Sequence, residues 1–170
     1  VAASADYYDD LVDAFGDPES LTLLVVAGAT RDCVARALDV DLHEPVAHPW
    51  DEKDDTDYSA WALVEIDGGV IGVEHTGYGD PAVTALEVMA RGGNAAAVVR
   101  SNPQAPLRFG CARHGGSDDA SPDGFSVGLV MAEDVTGLEL THEHAMLLAA
   151  AQFFRGPSIA PAHLGGTARV

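Results

Sequence analysis

Trp61–Ile66 (WALVEI) and Val70–His75 (VIGVEH) flank Asp67-Gly68-Gly69, and this arrangement constrains the fold more than any other part of the chain. Apolar side chains recur on both arms as half-buried strands require, and so short a Gly-containing connection joins antiparallel neighbours. A second hairpin is predicted downstream, with strands near 95–101 and 107–113 joined through Asn102-Pro103-Gln104-Ala105-Pro106. Leu21–Ala27 (LTLLVVA) is apolar almost throughout, which suits a strand covered on both faces.

Helices surround these strands. Ser4 is a plausible cap for a helix over 4–15, whose Tyr7, Tyr8, Leu11, Val12 and Phe15 share one face before Gly16-Asp17-Pro18 stops it. Thr30 caps a second helix carrying Cys33, Val34, Ala37 and Leu38. Asp80 at the cap and Pro81 in the first turn start a third, with Val83, Leu86 and Met89 on one face and Gly92-Gly93 closing it. Residues 125–136 (FSVGLVMAEDVT) fit both periods; the Ser121-Pro122-Asp123 start and the Gly137 stop favour helix. Thr141 caps a last helix, AMLLAAAQFF, apolar nearly all round and therefore expected at the centre of the core until Arg155-Gly156-Pro157 ends it. Residues 39–57 have no sustained period, two prolines and eight Asp or Glu, and read as an exposed loop.

The expected fold is therefore one α+β domain over residues 1–157, an antiparallel sheet of about four to five strands packed by helices, followed by an irregular extension at 158–170. A chain of 170 residues can bury such a core. Its net charge of −18, with Lys53 as the single lysine, disfavours nucleic acid and anionic membranes as partners. No apolar run approaches a membrane span, and VAASADYYDD does not read as a secretory leader, so a cytoplasmic location is expected.

Several segments, in order, resemble a family of small uncharacterised domains common in actinobacteria. They are Trp61–Glu65 with the Asp67-Gly68-Gly69 turn and Gly72, the Arg91-Gly92-Gly93 ending, NAAAVVRSNPQAPLRF, Ala112-Arg113-His114-Gly115, and Val135–Thr141. The resemblance covers about residues 20–157. It implies a single α+β domain of cytoplasmic bacterial origin and carries over no activity and no catalytic residue.

Candidate chemistry is sparse. Glu65 and Glu74 lie on adjacent strands: a Gly68-Gly69 turn puts them on one face, a three-residue turn on opposite faces. Paired carboxylates can divide acid and base roles, but cross-strand pairing with Arg100, Arg108 or Arg113 is the plainer expectation. Those arginines together with His114 are the candidate residues for an anionic ligand, although strand alternation separates Arg108 from Arg113. His43 and His48, beside Glu44, Asp51 and Glu52, are unspecific metal ligands, and His142 and His144 point to different helix faces. Cys33 and Cys111 read as buried, reduced thiols, with Cys111 near Arg113 and His114 a weak nucleophile candidate. Gly28-Ala29-Thr30 precedes a helix start but lacks the glycines and lysine of a phosphate loop. No catalytic constellation, resident metal or cofactor motif emerges. The expectation is a non-enzymatic accessory protein, immunity-like or regulatory, binding a protein partner with a basic face through Asp51, Glu52, Asp54, Asp55 and Asp57. The alternative is an anionic-ligand domain built on the sheet arginines.

Overall fold

Leu21–Ala27 is the strand around which the molecule is organised. The computed structural model describes residues 3–48 and 57–159. Its elements are α1 (Ala5–Phe15), β1 (Leu21–Ala27), α2 (Arg31–Leu38), β2 (Asp41–Val46), β3 (Tyr58–Ile66), β4 (Gly69–Glu74), α3 (Val83–Met89), a 3₁₀ turn (Arg91–Gly93), β5 (Ala95–Asn102), β6 (Ala105–Arg113), β7 (Gly116–Ala120), α4 (Phe125–Thr136), α5 (His142–Ala149) and β8 (Phe153–Ser158). The strands form one sheet in the order β2-β8-β3-β4-β1-β5-β6-β7. Every neighbouring pair is antiparallel.

Both faces of the sheet are covered. Leu23 and Val25 of β1 point with Ile71, Val73, Val99 and Phe109 toward α1, α4 and α5, where Phe15, Leu129 and Leu148 complete one core. Leu24 and Val26 point with Leu63, Val70 and Val98 toward α2 and α3, where Val34, Leu38, Leu86 and Met89 complete the other. That is why β1 shows no apolar–polar alternation: neither of its faces meets water.

The sheet has eight strands, not four to five. The three additional strands, β2, β7 and β8, lie toward its two ends. β7 (GSDDA) is exposed at all five positions, so it offers no hydrophobic alternation to read. β2 (DLHEPV) carries Pro45, which an outermost strand tolerates because one of its edges needs no ladder partner. It also converts part of the expected 39–57 loop into sheet. β8 was hidden in the run read as one long helix. α5 stops at Ala149, and Phe153 turns into the sheet between β2 and β3, with the Gln152 amide donating to Val46 O at 2.8 Å. The last helix is consequently peripheral, with Met146 62% exposed and Leu147 43% exposed, while Phe153 at 1% takes the core position. Ser158 and Ile159 belong to the packed body; Ile159 N–H donates to Asp57 O at 2.8 Å.

The first hairpin turns on Asp67-Gly68, because Ile66 pairs with Gly69. Gly68 has φ +94° and its carbonyl accepts from Gly28 N–H at 2.8 Å. Ser4 and Thr30 cap α1 and α2 through their hydroxyls, as their sequence positions suggest. α4 is helical over the ambiguous stretch. No described helix is long and apolar enough to cross a membrane.

Candidate functional site

Polar side chains form a row across four strands on the α2/α3 face. Glu74 of β4 is opposite Thr22 of β1, Thr22 is opposite Arg100 of β5, and Arg100 is opposite Arg108 of β6. The segment His75–Ala82 crosses over this row and is held by it. Glu74, 1% exposed, accepts from Thr76 N–H at 3.0 Å, Thr76 O–H at 2.5 Å, Gly77 N–H at 2.8 Å and Gly79 N–H at 3.1 Å. Thr22 O–H donates to Gly79 O at 2.8 Å, and the Asn102 amide to Gly77 O at 3.0 Å. Gly77 is required here: with φ +77°, its backbone lies so close to β5 that a Cβ would sit 2.0 Å from Ser101 O. Burial raises the Glu74 carboxyl above its ordinary pKa, against the four donors that favour its charged form.

At the other end of the row Asp80 bridges both arginines. Its Oδ1 lies 2.5 Å from Arg108 Nη1 and its Oδ2 lies 3.3 Å from Arg100 Nε. Arg108 also donates to Pro81 O at 2.6 Å and from Nε to Asp119 Oδ1 of β7 at 3.0 Å. Burial opposes the charge on Arg108, and the two carboxylates outweigh it, so its pKa is raised. Asp80 is therefore not the helix cap its place before Pro81 suggests. α3 begins at Val83 after Ala82, without a side-chain cap.

The row does not use the pairs expected from the strands. Glu65 and Glu74 share a face, four positions apart along the register, and neither meets Arg100, Arg108 or Arg113. Glu65 accepts instead from Arg31 N–H at 2.9 Å, so a carboxylate of the protein itself occupies the N-terminus of α2. Arg113 faces the opposite side of the sheet from Arg108, as alternation requires. His114 sits in the β6–β7 turn beside it. Of the acidic residues expected to meet a partner, Asp51, Glu52, Asp54 and Asp55 lie outside the described residues, and Asp57 is exposed just before β3.

Arg100 Nε is buried and, although close to Asp80, makes no aligned hydrogen bond. Arg100 is thus the least satisfied member of the row, which sets up an asymmetry. Arg100→Met keeps the Asp80–Arg108 pair, removes an unfilled donor and leaves an apolar stem of similar length. It is expected to change stability by less than about 1 kcal/mol in urea unfolding, because buried charges are often replaceable by apolar groups when no uncompensated partner remains. A loss above about 3 kcal/mol would contradict this reading of Arg100.

Other candidate groups have structural partners or stand apart. The His144 imidazole accepts from Thr141 N–H while Thr141 Oγ1 accepts from His144 N–H, both at 3.2 Å, a reciprocal cap for α5. His48, His75 and Phe153 cluster, with ring centres 4.8 Å to 5.8 Å apart and the closest pair, His48 and Phe153, edge to face. Burial, with His48 nearby, pushes His75 down to about 4. His43 is exposed on β2, and among the described residues no group of three or more His, Cys, Asp or Glu gathers in a metal-binding arrangement. Both cysteines are free; Cys33 is exposed on α2 rather than buried, because its helix turns Val34 and Leu38 inward instead. Burial pushes the Cys111 thiol up, away from the thiolate a nucleophile needs.

Two concavities lie at the β6–β7 end of the molecule. A cavity of about 660 Å³ between this hairpin and α4 is walled by Phe109, Cys111, Val130, Met131 and Val135, with Arg113, Asp118 and Asp134 at its polar side. A cleft of about 290 Å³ on the α3 side includes Glu87, Arg91, Arg113 and His114. Arg91 escaped the sequence reading because its place before Gly92-Gly93 signals only a helix end. No protein-family model matches the chain, and comparison with the curated proteins and with the solved structures gives no match.

Proposed function

We propose that this chain is a non-enzymatic binding module that recognises a protein partner through that partner's basic face, in an accessory, immunity-like or regulatory role. The observation that carries the proposal is the acidity of residues 39–57, the stretch to which β2 belongs. Residues 39–57 hold eight Asp or Glu against one Lys. β2 is the outermost strand on this side, with four of its six residues exposed. Among the described residues of this stretch, Glu44 alone meets a cation, Arg155 at 3.8 Å, and that pair is exposed. Unneutralised charge of one sign steers an oppositely charged partner and orients it. The buried charges support the same reading from the other direction: Glu74, Asp80 and Arg108 are engaged with protein groups and hold a crossing segment in place. The resemblance to small actinobacterial domains is part of the proposal and assigns no activity.

The test compares the native chain with one carrying Asp51→Asn, Glu52→Gln, Asp54→Asn, Asp55→Asn and Asp57→Asn. Immobilised in native lysate at about 50 mM salt, the native chain is expected to retain a stoichiometric basic protein and release it near 500 mM, since screening shortens from roughly 14 Å to 4 Å. The purified pair should bind about tenfold or more weaker with the neutralised chain. Retention of no stoichiometric protein, or equal binding by both chains, contradicts the proposal.

A further inference from the structure

Strand alternation sets Arg113 on the α4 face of the sheet, two residues beyond Cys111, which packs in one core with Phe109, Leu129 and Ala132. Asp118 pairs with Cys111 across the β6–β7 ladder and therefore shares that face. Arg113 and Asp118 are thus diagonal neighbours of opposite charge, roughly 7–8 Å apart at the backbone. Burial pushes the Cys111 thiol up, the Asp118 charge adds to the shift and the Arg113 charge opposes it, so both charges act on the same sulfur. They nevertheless do not pair: among the described residues no ion pair includes Arg113, Asp118 or Asp134. Asp118 Oδ1 accepts from the neighbouring Asp119 N–H at 2.9 Å, leaving Oδ2 to a ligand. These groups border the cavity of about 660 Å³ whose other wall is α4. Val130, Met131, Asp134 and Val135 lie there at helical spacing and form one stripe. Gly116, opposite Arg113, contributes no side chain, and no atom lies within 4 Å of where its Cβ would stand.

We propose that this cavity binds a free α-amino acid with a large apolar side chain. Its carboxylate fills the guanidinium fork of Arg113, its ammonium group donates to Asp118 and Asp134, and its side chain lies against Phe109, Val130 and Met131. A lone anion would reach Arg113 only beside two carboxylates, in a chain of net charge −18. A lone cation would satisfy those carboxylates but bring its charge beside Arg113. A zwitterion satisfies both signs at once and bridges the diagonal pair that the protein leaves unmade. The cavity's mixture of apolar walls and a few polar groups from different elements, and its volume, are those of small-molecule pockets. Arg100 and Arg108 take no part, because they stand on the other face against Asp80.

Calorimetric titration of the full chain with L-phenylalanine, L-leucine, glycine, N-acetyl-L-phenylalanine and 2-phenylethylamine tests this. One saturable site is expected for L-phenylalanine or L-leucine, and glycine, which lacks the apolar body, should bind about tenfold or more weaker. N-acetyl-L-phenylalanine, without the ammonium charge, and 2-phenylethylamine, without the carboxylate, should each bind about tenfold or more weaker than L-phenylalanine. Arg113→Met and Asp118→Asn should each weaken the amino acid about tenfold, and Arg36→Ala on the far face should leave it unchanged. Arg113 and Asp118 are exposed, so the variants keep the fold, as their urea midpoints will verify. Absence of saturable binding by both L-phenylalanine and L-leucine up to about 10 mM, or binding undiminished in the two cavity variants, overturns the proposal. Either one-charge analogue binding as tightly as L-phenylalanine overturns it as well, because one end of the zwitterion would then be unread. None of these outcomes depends on a protein partner at residues 39–57.

Discussion

Glu74→Ala is expected to destabilise the protein by about 3–5 kcal/mol, a large share of the roughly 5–15 kcal/mol that stabilises an ordinary domain. The carboxylate is the common acceptor for Thr76 N–H, Thr76 O–H, Gly77 N–H and Gly79 N–H. Each buried donor left unmet costs about 1–3 kcal/mol, and partial rearrangement of the crossing segment reduces the sum. Glu74→Gln keeps the size but turns an NH₂ group toward donors, so it should recover only part of the loss. Urea unfolding of the two variants against the native chain measures this. A loss below about 1 kcal/mol for Glu74→Ala would show that the segment is held by something else.

Asp80→Ala should have the second-largest effect, about 3–4 kcal/mol, since removing one partner of a buried ion pair leaves uncompensated charge. The side chains of Arg100 and Arg108 are only 10% and 13% exposed, so water does not replace the lost carboxylate. Arg108 retains Asp119, itself half-exposed, which sets the value below the top of the usual range. Asp80→Asn keeps one acceptor and should lose less. Together with the small effect expected of Arg100→Met, this makes the site directional: the anion is indispensable and one of its two cations is not.

What could be read in the sequence followed from burial. β1, the two hairpins and α4 carry apolar side chains at the spacing their surroundings demand, and they appear where the pattern places them. β2 and β7 were illegible because an outermost, exposed strand needs no apolar face; Gly116–Ala120 could be known as a strand only from its pairing with β6. The Ala-rich run after Thr141 failed for the opposite reason. Its apolar content was real, but it was divided between a peripheral helix and a buried strand.

The candidate site was half legible. Arg100, Arg108 and Arg113 stood out in a cation-poor chain, and alternation alone separated Arg108 from Arg113. The identity of the counter-charge was hidden, since Asp80 looks like a helix cap beside Pro81 and Asp119 like loop. Thr76-Gly77-Tyr78-Gly79, two glycines three and five residues after a strand-end glutamate, was the available signal that a segment lies flat over the sheet and donates its hydrogen bonds to Glu74.

The charges on the sheet's α2/α3 face stabilise one another. A double-mutant cycle on Asp80→Ala and Arg108→Met, read by urea unfolding, tests that most directly. We expect the double variant to be more stable than the sum of the single losses implies by at least about 1.5 kcal/mol. Losses that add to within about 0.5 kcal/mol would mean that the two residues act independently, and the self-neutralising row would have to be abandoned.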